Sequence, residues 1–451
     1  MVNDMTTGNS ARKIFFFSLP LLIGTVFQQV YNLADSAIVG KILGTNPFAA
    51  VGLTGSITFF VLGLVFGSCS GFAIPVAQDF GAKNEAGVRR CVANIVWIGV
   101  VFAILMTAIT VPLTKQILVW MDVPGELMGY AYDYLVWIFV GLGAQMMYNL
   151  LASIIRSLGD SKTPLYFLIV CSVLNIGLDI FCIRNLNMGV KGAAIATGVA
   201  QLISGVACLI YMVKKFPMLR LTRADMKLHL PTVKRLIGIG LPMGLQFSIT
   251  AIGSIILQKS VNNLGTQIIA SVSAASKVQT LVMSPMDAFG VSMATFTGQN
   301  YGARRLDRVR RATKEVTLML WAYSVIAFCV FFFGSKFIVL MFVDPTETQI
   351  IQLVHQFVTI NGAFYPVLSL IYVYRNTLQG VGYSKAAMLA GLFELIARTL
   401  MGLFIVPKLG YTAVCFAHPF AWFMADLILI PLYIALLSDK KQHHALQGQM
   451  K

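Results

Sequence analysis

Charge is scarce in this chain, and acid is scarcest. Only 12% of the residues are charged, roughly half the share of an ordinary soluble protein. There are 18 Asp and Glu against 34 Lys and Arg. Such a chain cannot cover a soluble surface of this size with charge. The motifs of nucleotide and metal chemistry are missing as well. No GxxxxGK[ST] phosphate loop is present, which excludes an ATP-driven pump of that kind, and there is no HExxH. Seven cysteines (Cys69, Cys91, Cys171, Cys182, Cys208, Cys329, Cys415) include no CxxC pair, so neither a disulfide framework nor a thiolate metal site is indicated. Of five histidines, His229, His443 and His444 fall in predicted aqueous segments, and His355 and His418 stand alone without metal-ligand spacing.

Apolar sequence fills the space that charge leaves. Hydrophobic residues make up 57% of the chain, and the mean hydropathy is +0.77. The net charge of +16 could suggest nucleic acid, but the bases fall in short clusters between apolar runs, the pattern of cytoplasmic loops. Twelve segments are long and apolar enough to span a bilayer: 14–40, 48–78, 91–114, 127–153, 164–183, 190–213, 236–258, 269–297, 315–341, 348–374, 386–406 and 411–437. The first run is too long for a cleaved signal and lacks a clear cleavage site, so it is expected to be a retained span. With the N-terminus inside, inner segments hold 25 bases and outer loops 7. That asymmetry predicts a multi-pass protein of the cytoplasmic membrane with both termini cytoplasmic.

The two halves repeat. Gln78-Asp79-Phe80-Gly81-Ala82 with Arg89-Arg90 recurs as Gln299-Asn300-Tyr301-Gly302-Ala303 with Arg310-Arg311, at an offset of 221. The same offset maps Leu43-Gly44-Thr45 onto Leu264-Gly265-Thr266 and Gly189 onto Gly410. Ser18-Leu19-Pro20 pairs with Gly240-Leu241-Pro242 at 222, and Gly159 with Gly382 at 223. The fold class predicted is therefore all-α: twelve transmembrane helices as two six-helix bundles. Six spans per copy give both copies the same orientation, a parallel repeat of the kind found in transporters. The lobes expected are 1–213 and 236–451, the second with a cytoplasmic tail, joined by a cytoplasmic linker at 214–235.

Acids inside lipid are costly and face cavities or partners. Asp35 and Asp179 each sit five residues before the outer end of their span, roughly 7–8 Å deep at about 1.5 Å per residue. Asn175 is one turn deeper than Asp179 on the same face, Thr197 reaches a similar depth on the next span, and Asn32 shares a face with Asp35. Two carboxylates, an amide and a hydroxyl suit a small cation as a hard oxygen site for Na⁺, and equally a shared proton. Asp35 maps near Ile256 and Asp179 near Leu400, so the second half lacks both acids and ion coupling is expected in the first lobe. Gln28, Tyr31, Gln145, Asn149, Gln246, Asp287 and Asn361 are polar residues in apolar spans and form the candidate substrate cavity, with interhelical hydrogen bonding as their alternative role. Glu394 and Arg398, four apart, are expected to pair on one helix face. Lys277 and Asp426 are, like Asp287, candidates to line the substrate cavity or to lock the two halves.

The chain resembles the multidrug and toxic compound extrusion (MATE) family over nearly its whole length. The resemblance rests on the early Ser18-Leu19-Pro20, on Asn32, Asp35 and Gly40, on QDFGAKNEAGVRR from Gln78, RSLGDSKTP from Arg156, LNIGLD from Leu174 and GVKGAAIAT from Gly189. It implies a V-shaped pair of bundles around a central cavity. The implied function is exchange of inward Na⁺ or H⁺ for outward organic cations or amphipathic drugs, by a monomer in the bilayer, with no other cofactor and no nucleic acid. It also implies that Asp35, Asn175, Asp179 and Thr197 form the cation site. Some members use acids on spans seven and ten; here span seven carries Gln246 and span ten no acid. The alternatives are a lipid-linked oligosaccharide flippase of the same superfamily, for which only Lys277 and Arg398 count as intramembrane bases, and, from another class, a membrane enzyme or a channel.

Overall fold

The computed structural model describes residues 4–223, 225–340 and 345–437, with 336–338 described by backbone alone. His443, His444 and the tail from 438 lie outside the described residues, as does the Lys336 side chain. The described residues are helical, without a strand. In the first half α1 is Ser10–Leu43, α2 Thr45–Gly81, α3 Glu85–Trp120, α4 Gly125–Val140, α5 Leu142–Ser157, α6 Lys162–Ile180 and α7 Val190–Lys215. In the second half α8 is Leu230–Asn262, α9 Thr266–Gly302, α10 Leu306–Val339, α11 Thr348–Ala363, α12 Tyr365–Gly380, α13 Ser384–Leu400, α14 Val406–Leu409 and α15 Tyr411–Leu437.

The pairs α4–α5 and α11–α12 are single spans bent by 47° and 51°. The first bend is braced by Gln145, whose Nε2 donates to the Ile138 carbonyl at 3.4 Å, restoring a partner to a carbonyl next to the break. Helix α6 runs on into a π turn at Phe181–Asn185, and α13 into one at Met401–Ile405 followed by α14. Counted this way the described residues hold twelve helical segments of spanning length. Nine single helices and the two bent pairs are apolar enough to cross a membrane. The twelfth, α9, has the length at 37 residues, but Lys277, Asp287 and a string of Ser and Thr make it more polar.

The repeat is written in the backbone as well as in the sequence. Positive φ occurs at Gly44 and Gly265, Lys83 and Arg304, Gly159 and Gly382, and Gly189 and Gly410. These left-handed turns end one helix and aim the next, so equal spacing gives each half the same helix directions. The bends and the π turns fall in matching places too.

Two compact units emerge. Unit 1 comprises Met1–Asp4 and Leu19–Gly244; unit 2 comprises Met5–Ser18 and Leu245–Lys451. Compared with lobes at 1–213 and 236–451, the units exchange the first turns of α1 and α8. The sequence of unit 1 explains its share of α8. A Cβ placed on Gly71 of α2 would lie 2.5 Å from the Gly240 Cα of α8, so the two backbones touch there and only glycine fits.

The segment between α7 and α8 is pinned rather than loose. Arg235 Nη2 donates to Gln78 Oε1 at 2.7 Å and its Nη1 to the Asp79 carboxylate at 3.3 Å. The Trp97 indole donates to the Met226 carbonyl at 3.0 Å, and the His229 N–H to Asn94 Oδ1 at 3.0 Å. Asp225 accepts from the Thr222 N–H at 2.9 Å and from its hydroxyl at 2.7 Å. These bonds hold its carboxyl below the usual carboxylate range. In unit 2 the repeated motif serves the same way. Gln299 accepts from the Met5 N–H at 3.0 Å, Asn300 donates to the Met5 carbonyl at 3.1 Å, and Arg308 donates to the carbonyls of Met5, Thr7 and Gly8.

One sequence assignment needs correction. Arg375 counts as an inner-loop base by its place at the end of an apolar run, yet it lies within α12 and is largely buried. Its Nη1 is 3.5 Å from Glu394 Oε1, and its guanidinium lies over the Tyr372 ring at 5.6 Å. An acid on a neighbouring helix draws it inward, and no local pattern reports that partner.

Candidate cation site in the first unit

Tyr31 and Asp35 are four apart on α1 and share a face, as do Asn175 and Asp179 on α6. The π turn after α6 and the left-handed Gly189 (φ 63°) reverse the chain, so α7 returns alongside α6 and brings Thr197 level with Asn175. The four polar positions named from depth, Asp35, Asn175, Asp179 and Thr197, therefore meet, and Tyr31 joins them.

The hydrogen bonds form a closed set. Asn175 is fully buried, and its amide is oriented by its neighbours. Its oxygen accepts from the Thr197 backbone N–H at 3.1 Å, while its nitrogen donates to Asp179 Oδ2 at 3.1 Å and to the Tyr31 hydroxyl at 2.9 Å. The Tyr31 hydroxyl lies beside Thr197, whose Oγ1 donates to the Ala193 carbonyl at 3.1 Å.

The acids are different. The carboxyl groups of Asp35 and Asp179 meet directly. Ionised carboxylates only accept, so two of them side by side repel, and a proton or a cation between them relieves that repulsion. Asp35 Oδ1 is moreover buried without a hydrogen-bond partner, and Asp179 is fully buried. An orphaned carboxylate oxygen beside a second carboxylate is the donor chemistry that a hard monovalent cation takes. The described residues contain no group of three or more His, Cys, Asp or Glu, the usual set for a divalent metal.

Beyond the acids, toward the end of α1, an apolar cluster closes the unit. Val39, Ile183, Val190 and Ala193 are buried there, with Ile38, Leu43, Val51 and Tyr134 packed against them. Tyr134, from α4, also lies close enough to both acids to feel their charge. Sequence reasoning placed Tyr31 only in the substrate cavity and missed Tyr134. The four-residue step from Tyr31 to Asp35 was the available signal for the first; nothing in the spacing marks the second.

The other candidates fall elsewhere. Asn32 is exposed and makes no side-chain bond with the cluster, and Gln28 is exposed on α1. Gln145 braces the helix bend, and Asn149 donates to the Gln145 carbonyl at 2.8 Å. In unit 2 Gln246 accepts from Gln379 at 3.4 Å, and Asn361 donates to the carbonyls of Phe357 and Cys415 at 2.9 and 3.2 Å. Of these bonds, Gln246 with Gln379 and Asn361 with Cys415 tie two helices together, while Asn149 with Gln145 and Asn361 with Phe357 lie within one helix. Asp287 is half-buried near Tyr372, and Lys277 is exposed. Glu394 and Arg398 pair at 3.0 Å. Glu394 thus engages both Arg375 and Arg398.

The family model described as MatE matches the chain twice, over residues 20–181 and 242–404. The chain belongs to the MatE family. The two matches cover one repeat each, in agreement with the duplicated backbone turns. Among curated relatives, the "Probable multidrug resistance protein YoeA" of Bacillus subtilis (strain 168) is 24% identical over 96% of this chain and 95% of its own. The "Probable multidrug resistance protein NorM" of Thermotoga maritima is 24% identical over 88% and 86%. "Multidrug export protein MepA" of Staphylococcus aureus (strain NCTC 8325 / PS 47) is 20% identical over the same shares, 88% and 86%. Among solved structures, a MATE in complex with MaL6 superposes with a TM-score of 0.88 at 20% identity over 99% of both chains. An outward-facing multidrug resistance MATE transporter of the MOP superfamily superposes with 0.88 over 97% of this chain and 98% of that one. The chain is thus a multi-pass membrane protein of a transporter family, with the MATE twelve-helix fold, and its relatives are named as transporters rather than enzymes.

Proposed function

We propose that this MatE-family transporter is a cation-coupled antiporter that exports organic cations or amphipathic drugs by alternating access. The observation that carries the proposal is the meeting of Asp35 and Asp179, from two different spans, with an orphaned carboxylate oxygen between buried helices. Such a pair binds H⁺ or Na⁺ and is neutralised by it. The relatives' names supply the substrate class: multidrug resistance and multidrug export.

Entry of the cation removes the mutual repulsion of the acids. Asn175 then follows Asp179, because its bond to the carboxylate changes when that charge is screened, and Tyr31 follows Asn175 through the bond between them. Tyr31 lies on α1, so the event is passed to the helix that carries Pro20 and Gly24 and bends α1 toward substrate release. The energy is sufficient in principle, since one charge crossing 100 mV yields about 2.3 kcal/mol. The excess of bases on predicted inner segments supports cytoplasmic termini in the bacterial inner membrane, with the cation entering from outside. One chain carries the whole cation site, so a monomer suffices.

Proteoliposomes loaded with a fluorescent cationic dye test this. Under an imposed Na⁺ or H⁺ gradient the wild type moves dye and Asp35→Asn does not, and the effective gradient names the ion. Wild-type dye movement in Asp35→Asn sinks the assignment.

A further inference from the structure

We propose that Asp426 in unit 2 is a second small-cation site, taking a proton or Na⁺, with Arg375 as its alternative partner. Asp426 lies on α15, is 4% exposed, and has hydrogen bonds to neither carboxylate oxygen. It is the one acid of the described residues with both oxygens buried and unpartnered. Its charged neighbours are Glu394 of α13 and Arg375 of α12, on the two helices that pack most closely along α15.

The bases nearby are already taken. Arg375 sits 3.5 Å from Glu394 Oε1, and Arg398 sits 3.0 Å from Glu394 Oε2 while also donating to the Thr250 carbonyl at 3.4 Å. One buried glutamate thus holds two arginines, and Asp426 is left facing the glutamate's charge without a donor. A bare carboxylate so enclosed is among the costliest groups a membrane interior can hold. It is relieved by a bound cation, or by Arg375 turning from Glu394 to Asp426. The two are exclusive. A cation on Asp426 keeps Arg375 on Glu394, the arrangement seen, and loss of the cation draws Arg375 across. Other titratable groups around Asp426 are Tyr374 of α12 and, on α15, Tyr433, which packs on Tyr374 at 4.7 Å between ring centres. One turn or two away on the same helix, His418 stacks on Trp422 and faces Arg398.

Trp422 is one turn from Asp426, 2% exposed and in ring contact with Tyr365 and His418, so it reports on this site locally. The full chain labelled with 5-fluorotryptophan, in lipid nanodiscs, gives a ¹⁹F resonance for Trp422, assigned through Trp422→Phe. That resonance is followed from pH 5 to 9 without Na⁺, and against Na⁺ at fixed pH. The expected result is a saturable shift with one of the two cations, which identifies it. The shift falls below about a tenth of its size in Asp426→Asn and persists in Asp35→Asn. Glu394→Gln frees Arg375 and is expected to weaken cation binding at Asp426 at least tenfold, which keeps the test open if Asp426→Asn does not fold. No shift with either cation overturns the proposal. So does a shift kept in Asp426→Asn, which would assign the signal to His418, or an unchanged midpoint in Glu394→Gln. The readout is equilibrium binding without transport, so failure of the antiporter assignment leaves it standing, and its failure leaves that assignment untouched.

Discussion

Replacing Asn175 by leucine keeps the bulk of the side chain and deletes its bonds to Asp179, Tyr31 and the Thr197 N–H, of 3.1, 2.9 and 3.1 Å. Interhelical hydrogen bonds within membranes are worth about 0.6 kcal/mol each and up to about 1.7. Two of the three bonds, to Tyr31 of α1 and to the Thr197 N–H of α7, join helices and together give about 1–3 kcal/mol. The lower figure is already about a fivefold change in an equilibrium constant. Because Asn175 ties Asp179 to Tyr31 and Thr197, the loss should appear chiefly in cation binding. The assay is thermal unfolding of purified protein across a Na⁺ series and a pH series. Wild type is stabilised by the coupling cation as RT ln(1 + [L]/Kd). Asn175→Leu should need at least about fivefold more cation for the same stabilisation. Ser172→Ala is the control. Ser172 is equally buried on α6 and only donates to the Leu168 carbonyl at 2.9 Å, so its loss should stay within about 0.5 kcal/mol. A cation response within threefold of wild type in Asn175→Leu would refute the account of this residue.

Three further outcomes are expected. Glu394→Ala strands two buried arginines and should cost about 3–5 kcal/mol, measured as a fall in unfolding temperature; a loss under about 1 kcal/mol would mean the arginines find other partners. Gly71→Ala pushes a methyl to 2.5 Å from Gly240 Cα and should cost about 1–3 kcal/mol through forced backbone separation, with unchanged unfolding temperature as the contrary result. Thr222 holds the Asp225 carboxyl below its usual range, so that bond stabilises the 216–229 segment above the unfolded carboxylate range and is lost as pH falls through the lowered value. Hydrogen exchange of this segment should rise only at acid pH in wild type and already at neutral pH in Thr222→Val; equal protection in both at pH 7 would contradict it.

Much of this architecture was legible because a bilayer imposes length and apolarity on each span, and because duplication wrote the same turns twice. Gly44 and Gly265, or Gly189 and Gly410, announce themselves by position alone. Depth counting brought Asp35, Asn175, Asp179 and Thr197 together because rise per residue is fixed and neighbouring antiparallel helices share a scale. What depth cannot give is direction around a helix relative to a distant neighbour. Asn32 shared a face with Asp35 on a helical wheel yet ends exposed, while Tyr134 arrives from α4 with no local sign. Arg375 shows the same limit from the other side. Its sequence neighbours look like a span end, and only Glu394, on another helix, explains its burial. The bend between α4 and α5 was equally hidden, since no proline marks Gly141. The exchange of the first turns of α1 and α8 depends on contacts such as Gly71 with Gly240 and Met5 with Gln299, which are far apart in sequence.

Coupling itself is tested most directly by counter-flux. Dye is added to one side of proteoliposomes without any imposed ion gradient, and H⁺ and Na⁺ movement is recorded on the other, with wild type, Asp35→Asn and Asp179→Asn side by side. The account predicts that dye entry drives the opposite movement of one of these cations through wild type and through neither variant. Dye movement by wild type with no cation moving against it would contradict the antiporter assignment at its centre.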